Sequence, residues 1–97
     1  MKYYAKDYEG FVAVCDSDIL GKKFEEEECV LDVSEKFFKG ELINEDDIKL
    51  LFMEELNFIL FGNNIVKIAE EMGLVLEKEV KEIKGVKHAQ VYCIRGE

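Results

Sequence analysis

The run Phe11-Val12-Ala13-Val14-Cys15 constrains the fold most. It is continuous, apolar and short, with Gly10 before it and Asp16 after it. Such a run suits a strand covered on both faces better than a helix with one buried stripe. The chain must then supply two layers of cover from only 97 residues. Residues 2–8, rich in tyrosine, lead into this run across Glu9-Gly10. The pair is expected as a hairpin, with 2–8 as an edge strand. A hydrophobic share of 48% is enough for a core without disulfides or a structural metal. The length is that of one domain, spanning 1–97.

Downstream, Asp16 is expected to cap a single helical turn from Ser17 to Leu20, with Gly21 as its exit. Glu25 to Glu28 forms a charged crossing that cannot be buried. Cys29 to Val33 returns as a strand with Cys29, Leu31 and Val33 on one face. Ser34 caps a short turn over 35–39, closed by Gly40. Asn44 starts the main helix, with Glu45, Asp46 and Asp47 at its positive end. Ile48, Leu51, Phe52, Leu56, Ile59 and Leu60 form its apolar stripe. Gly62-Asn63-Asn64 interrupts the pattern. A second helix carries Ile65, Ile68, Ala69 and Met72, and Gly73 stops it. Residues 80–84 and 88–94 close the chain as strands around Gly85. The order predicts an α+β fold: about five short strands in a largely antiparallel or mixed sheet, with two main helices on one face.

Charge narrows the function. There are 13 Lys+Arg against 22 Asp+Glu, a net charge of −9. That argues against a surface that grips DNA or an anionic membrane. No apolar run reaches the ~18–20 residues of a membrane span, and the first residues do not form a signal peptide. Three cysteines without a CxxC pair predict neither a disulfide framework nor a zinc site. Each lies in an apolar stretch and is expected buried and reduced, as in the cytoplasm. The acidity is uneven: residues 1–76 hold eight lysines against eighteen acids, whereas residues 77–97 hold five cations against four acids.

Three segments in order carry a family resemblance: Ala13-Val14-Cys15-Asp16-Ser17-Asp18-Ile19-Leu20-Gly21-Lys22, then Leu31-Asp32-Val33-Ser34-Glu35-Lys36-Phe37-Phe38-Lys39-Gly40-Glu41-Leu42, and Gly85-Val86-Lys87-His88-Ala89-Gln90. Together they resemble the small archaeal family known as domain of unknown function 424, over nearly the whole chain. Phe38 stands where Tyr is common in that family, and Lys87 where Pro is common. The resemblance implies an archaeal, cytoplasmic, single-domain protein and supplies no catalytic activity. The habitat of the family points to translation or RNA processing as its setting.

His88 is the sole histidine and the first residue to test for chemistry. On a strand over 88–94, His88, Gln90, Tyr92 and Ile94 share one face, while Ala89, Val91 and Cys93 share the other. The second set makes a core face. The first is polar and lies among Lys81, Lys84, Lys87 and Arg95. The candidate binding site is therefore His88, Gln90 and Tyr92 with Lys84, Lys87 and Arg95; a solvated strand face is the plain alternative. Asp16 to Glu27 superficially follows a calcium loop, yet Leu20 breaks the pattern and helix capping explains Asp16. The start of the second helix at Gly62-Asn63-Asn64 is a poor phosphate site without a following Lys or Ser/Thr. No metal ligand set, cofactor motif or nucleophilic triad assembles. The expected function is a small non-enzymatic binding protein for a macromolecular partner, a protein or an RNA–protein complex, with homodimer pairing open along residues 2–8. The alternative is a small-ligand or catalytic domain using His88 with a nearby carboxylate. An enzyme needs His88 in a concave pocket, whereas a binding module presents it on an open face.

Overall fold

A computed structural model describes residues 1–92. In chain order its elements are β1 (Tyr3–Tyr8), β2 (Phe11–Asp16), β3 (Lys23–Glu26), β4 (Cys29–Asp32), α1 (Glu35–Phe38), β5 (Glu41–Ile43), α2 (Glu45–Glu54), β6 (Asn57–Phe61), α3 (Asn63–Glu71), β7 (Lys81–Ile83) and β8 (Val86–Tyr92). The main sheet has the order β5-β1-β2-β6-β8-β7, and β3 pairs with β4 in a separate ribbon. Every pairing in the main sheet is antiparallel except β2 with β6, which is parallel. The α+β architecture with a mostly antiparallel, mixed sheet is thus the one expected.

As its apolar run requires, β2 lies inside the sheet, and Val12 to Asp16 are all buried. Val12 and Val14 face the layer of α2 and α3, in a core with Tyr3, Phe58, Leu60, Ile65 and Val66. Ala13 and Cys15 face the opposite layer, where Val33 and Phe38 complete a second, smaller core. Alternation along one strand therefore feeds two hydrophobic layers. α2 begins with a full capping box: Asn44 Oδ1 accepts from the Asp47 amide at 2.9 Å, and the Asp47 carboxylate accepts from the Asn44 amide.

Five expectations are corrected. The main helix ends at Glu54, and Ile59 and Leu60 belong to β6. Phe58 and Leu60 are buried against the helices, whereas Ile59 and Phe61 face the other layer; this is the period of a strand. Residues 2–8 are not an edge, because β5 covers Tyr3 to Ala5. Glu25 and Glu26 are not a bare crossing but part of β3, which turns into β4 through Glu27 at φ 51°. Cys29 is exposed rather than buried, although Leu31 and Val33 do face inward. The described residues form eight strands where about five were expected: β3 and β5 have only four and three residues, and β6 had been counted in the main helix.

A glycine-dependent turn and an asparagine clamp position the last hairpin. Lys84 at φ 52° and Gly85 at φ 79° form the two-residue link between β7 and β8, a conformation with both central residues at positive φ. Asn63 then ties that turn to the start of α3. Its Nδ2 donates to the Gly85 carbonyl at 3.0 Å, and its Oδ1 accepts from the Lys87 amide at 2.8 Å.

Candidate functional site

The sheet face away from α2 and α3 is only partly covered. The β3–β4 ribbon and α1 lie over it, and between them a half-open groove of about 620 Å³ remains. Its floor is Ile59 and Phe61 of β6 with His88, Gln90 and Tyr92 of β8. Val30 and Leu31 of β4 and Phe37 of α1 form walls, and Glu79 and Lys81 also line it. Strand register places these groups. Phe61 pairs with His88, Ile59 with Gln90, Asn57 with Tyr92 and Lys81 with His88, and directly opposed residues share a face.

The wall at Phe37 is fixed from below. Ser34 Oγ accepts from the Phe37 amide at 3.3 Å, so the expected cap is present. Tyr8 donates its hydroxyl to the Phe37 carbonyl at 2.8 Å, and its ring stacks on both Phe11 and Phe37. Phe38 packs on Phe61 at 4.7 Å, and Phe61 meets the His88 ring edge-on at 5.7 Å. An unbroken aromatic chain therefore runs from α1 to the imidazole.

His88 is half-buried, neither sealed in the interior nor freely solvated. Its Nε2 is buried with no hydrogen-bond partner among the described residues. Burial first, and then the Lys81 ammonium, lower its pKa below the usual 6.5. Both causes favour the neutral imidazole, and its Nε2 is enclosed and unsatisfied beside the groove. An unpaired buried polar atom costs on the order of 1–3 kcal/mol. At the rim, Val30 and Tyr92 are 55% and 69% exposed. The Tyr92 hydroxyl donates to Gln90 Oε1 at 3.1 Å.

The structure brings together His88, Gln90 and Tyr92 as expected, and Ala89 and Val91 form the buried reverse of the strand. It does not bring in two of the lysines. Lys84 sits in the β7–β8 turn, and Lys87, opposite Glu82, lies on the other face of the strand from His88. Arg95, Cys93 and Ile94 lie outside the described residues. Lys81 and Glu79 enter instead. Lys81 is two residues N-terminal to Ile83 on a hairpin strand, so the expected hairpin already carried the signal for it.

Asp16 has a different role from the one expected. It makes no side-chain cap to the 3-10 turn that follows it. Its Oδ2 accepts from the Asn64 amide at 3.0 Å and from Asn64 Nδ2 at 3.1 Å, and its Oδ1 accepts from the Ile65 amide at 2.9 Å. β2 thus supplies the N-cap of α3 from another element, and the amides that could hold a phosphate are occupied by a carboxylate. Both carboxylate oxygens are committed to amide donors, which leaves the calcium-loop pattern without its first ligand. Burial raises the Asp16 pKa, while the hydrogen bonds from Asn64 and Ile65 pull it down. Cys15 is no better a nucleophile: burial and the neighbouring Asp16 push its thiol up to about 12. It shares a cross-strand row with His88, but Phe61 stands between them.

The fold defines a class first: a small sheet with its two longer helices on one face and a half-open aromatic groove on the other. The chain belongs to the family described as "Protein of unknown function (DUF424)", whose model matches residues 4–94. A crystal structure of an uncharacterized conserved protein from Methanopyrus kandleri is similar, with a TM-score of 0.80 and 24% sequence identity. That likeness covers 100% of this chain and 96% of the other, and it concerns the fold. No curated protein matches the chain. Among the described residues, no helix is long and apolar enough to cross a membrane.

Proposed function

We propose that this chain is a non-catalytic binding domain whose aromatic groove takes an apolar segment of a protein partner, free or within an RNA–protein complex. The observation that carries the reading is a half-open groove of about 620 Å³ lined by Val30, Leu31, Phe37, Ile59 and Phe61, with the half-buried His88 among the residues of its floor. An apolar side chain would fill the groove, and a donor or acceptor beside it would bond the imidazole. Exposed Val30 and Tyr92 carry the apolar contact out to the rim of the groove, where a macromolecular partner would meet it. The net charge of −9 supports a protein over DNA or a membrane. Free Cys15 and Cys29 support a reducing, cytoplasmic setting.

The test is affinity capture from native extract at graded salt, with and without ribonuclease, using the wild-type chain and His88→Ala/Gln90→Ala. The expected result is a protein retained by the wild type, resistant to ribonuclease and lost with the double variant. If every captured species survives the double substitution, the groove is not the site.

A second reading rests on the concave setting of His88, which is the one expected of an enzyme. Glu79 lines the same groove as His88, so a carboxylate and a neutral imidazole share a concavity of small-ligand size. Glu79 Oε1 already accepts from the Leu76 amide at 2.9 Å, which favours an anchoring role over proton transfer. Saturation of the groove by a small molecule that Glu79→Gln abolishes would move the assignment to this reading.

A further inference from the structure

On the opposite side of the sheet, α2 covers the core incompletely. Ile48 and Phe52 point inward and are buried, but Leu50 and Met53 point outward and are 58% and 76% exposed. Three residues apart, these two form an apolar ridge on one helix. Beside it a cleft of about 320 Å³ opens between α2 and the β1/β5 end of the sheet. Ala5, Ile43 and Leu51 give the cleft an apolar floor. Asp7, Glu41, Asp47 and Glu54 ring it, and no cation is among its lining residues.

We infer that this cleft and ridge dock a basic amphipathic helix of a partner protein. The apolar ridge asks for an apolar stripe, and the ring of four carboxylates asks for lysine or arginine on both flanks of that stripe. Charge also selects against the other occupants. A second copy would bring the same acidic ring and a further −9 to the contact. Nucleic acid and an anionic lipid surface carry the same sign as the ring. The cleft is separate from the His88 groove, from which the sheet divides it, so the inference stands whether or not the groove reading holds.

The probe is a synthetic helical peptide of leucine and lysine at amphipathic spacing, with a leucine–glutamate peptide as its control. Amide shifts of the 15N-labelled chain are followed during titration at graded salt. The lysine peptide is expected to shift residues of α2, β5 and β1 around Ala5 and Asp7, and the glutamate peptide to shift none. Leu50→Gln with Met53→Gln should weaken binding about tenfold. Asp7→Asn with Glu54→Gln should weaken it and flatten its salt dependence. All four positions are at the surface, and the spectrum of each free variant verifies its fold. Shifts scattered over every acidic surface, with Leu50→Gln/Met53→Gln binding as well as the wild type, would mean unspecific charge attraction and overturn the inference. So would no binding at all, or a concentration-dependent dimer that the same substitutions dissolve.

Discussion

At the scale of single residues, the molecule turns on two groups, Asp16 and His88. Gly62, at φ 130°, lies against the Asp16 carboxylate, and a Cβ there would sit 2.7 Å from both oxygens. The absent side chain is what lets a strand-end carboxylate reach the start of α3. Asp16→Ala is expected to cost about 2 kcal/mol, because the Asn64 and Ile65 amides lose their acceptor. Gly62→Ala should cost more in the wild type than in the Asp16→Ala background, where only the strained φ remains. Urea unfolding of the four proteins checks this, and equal costs in both backgrounds would refute the coupling. His88 gives a pH prediction. Its folded pKa lies below 6.5, so its contribution to stability is complete above that value and is lost as pH falls through the depressed pKa. An NMR titration of the imidazole should show the low value, and Lys81→Gln should raise it only in part, since burial is the larger cause. A midpoint at or above 6.5 would mean an imidazole that is solvated and already partnered.

At the scale of elements, legibility followed how locally each signal was written. β2 was readable from five residues because an apolar run between Gly10 and Asp16 leaves few choices. α2 announced its start through Asn44 and Asp47, which cap each other three residues apart. Its end was not readable in the same way. Leu51, Phe52, Leu56, Ile59 and Leu60 continue a helical spacing past Glu54, while Phe58 to Phe61 also satisfy a strand. Pairing with Val12 to Cys15, 46 residues earlier in register, settles the matter, and no local window contains it. The face of β8 was legible from alternation alone, whereas the groove above it was not. That groove needs the β3–β4 ribbon, whose Leu31 is buried only by tertiary contact. The capping of α3 by Asp16 is likewise a contact 48 and 49 residues apart. The Asn63 clamp makes an element-scale prediction. Asn63→Ala removes two hydrogen bonds to the β7–β8 hairpin and should cost about 1–2 kcal/mol. Hydrogen exchange should accelerate at Lys87 first; unchanged protection there would show that the ladder to β8 holds the hairpin alone.

At the scale of the whole molecule, charge works against compactness. The chain carries −9, and eighteen of its 22 acids lie in the first 76 residues. The ion pair between Lys49 and Glu45, 3.3 Å apart on one turn of α2, is exposed on both sides and contributes little. The fold is therefore held by its two apolar layers against a net self-repulsion, and among the described residues Asp16 and Asp47 serve structure by capping helices rather than by pairing with cations. Salt distinguishes this arrangement from one stabilised by surface ion pairs, because screening weakens repulsion in the first and attraction in the second. The urea midpoint should rise when sodium chloride is added, with the slope of the transition unchanged. Sodium chloride is the proper salt for this, since sulfate strengthens apolar burial by exclusion and would raise the midpoint for another reason. A midpoint that falls with salt would show that attractive surface pairs outweigh the acidic excess, and the same excess could then no longer be used to argue that the α2 cleft selects a basic partner.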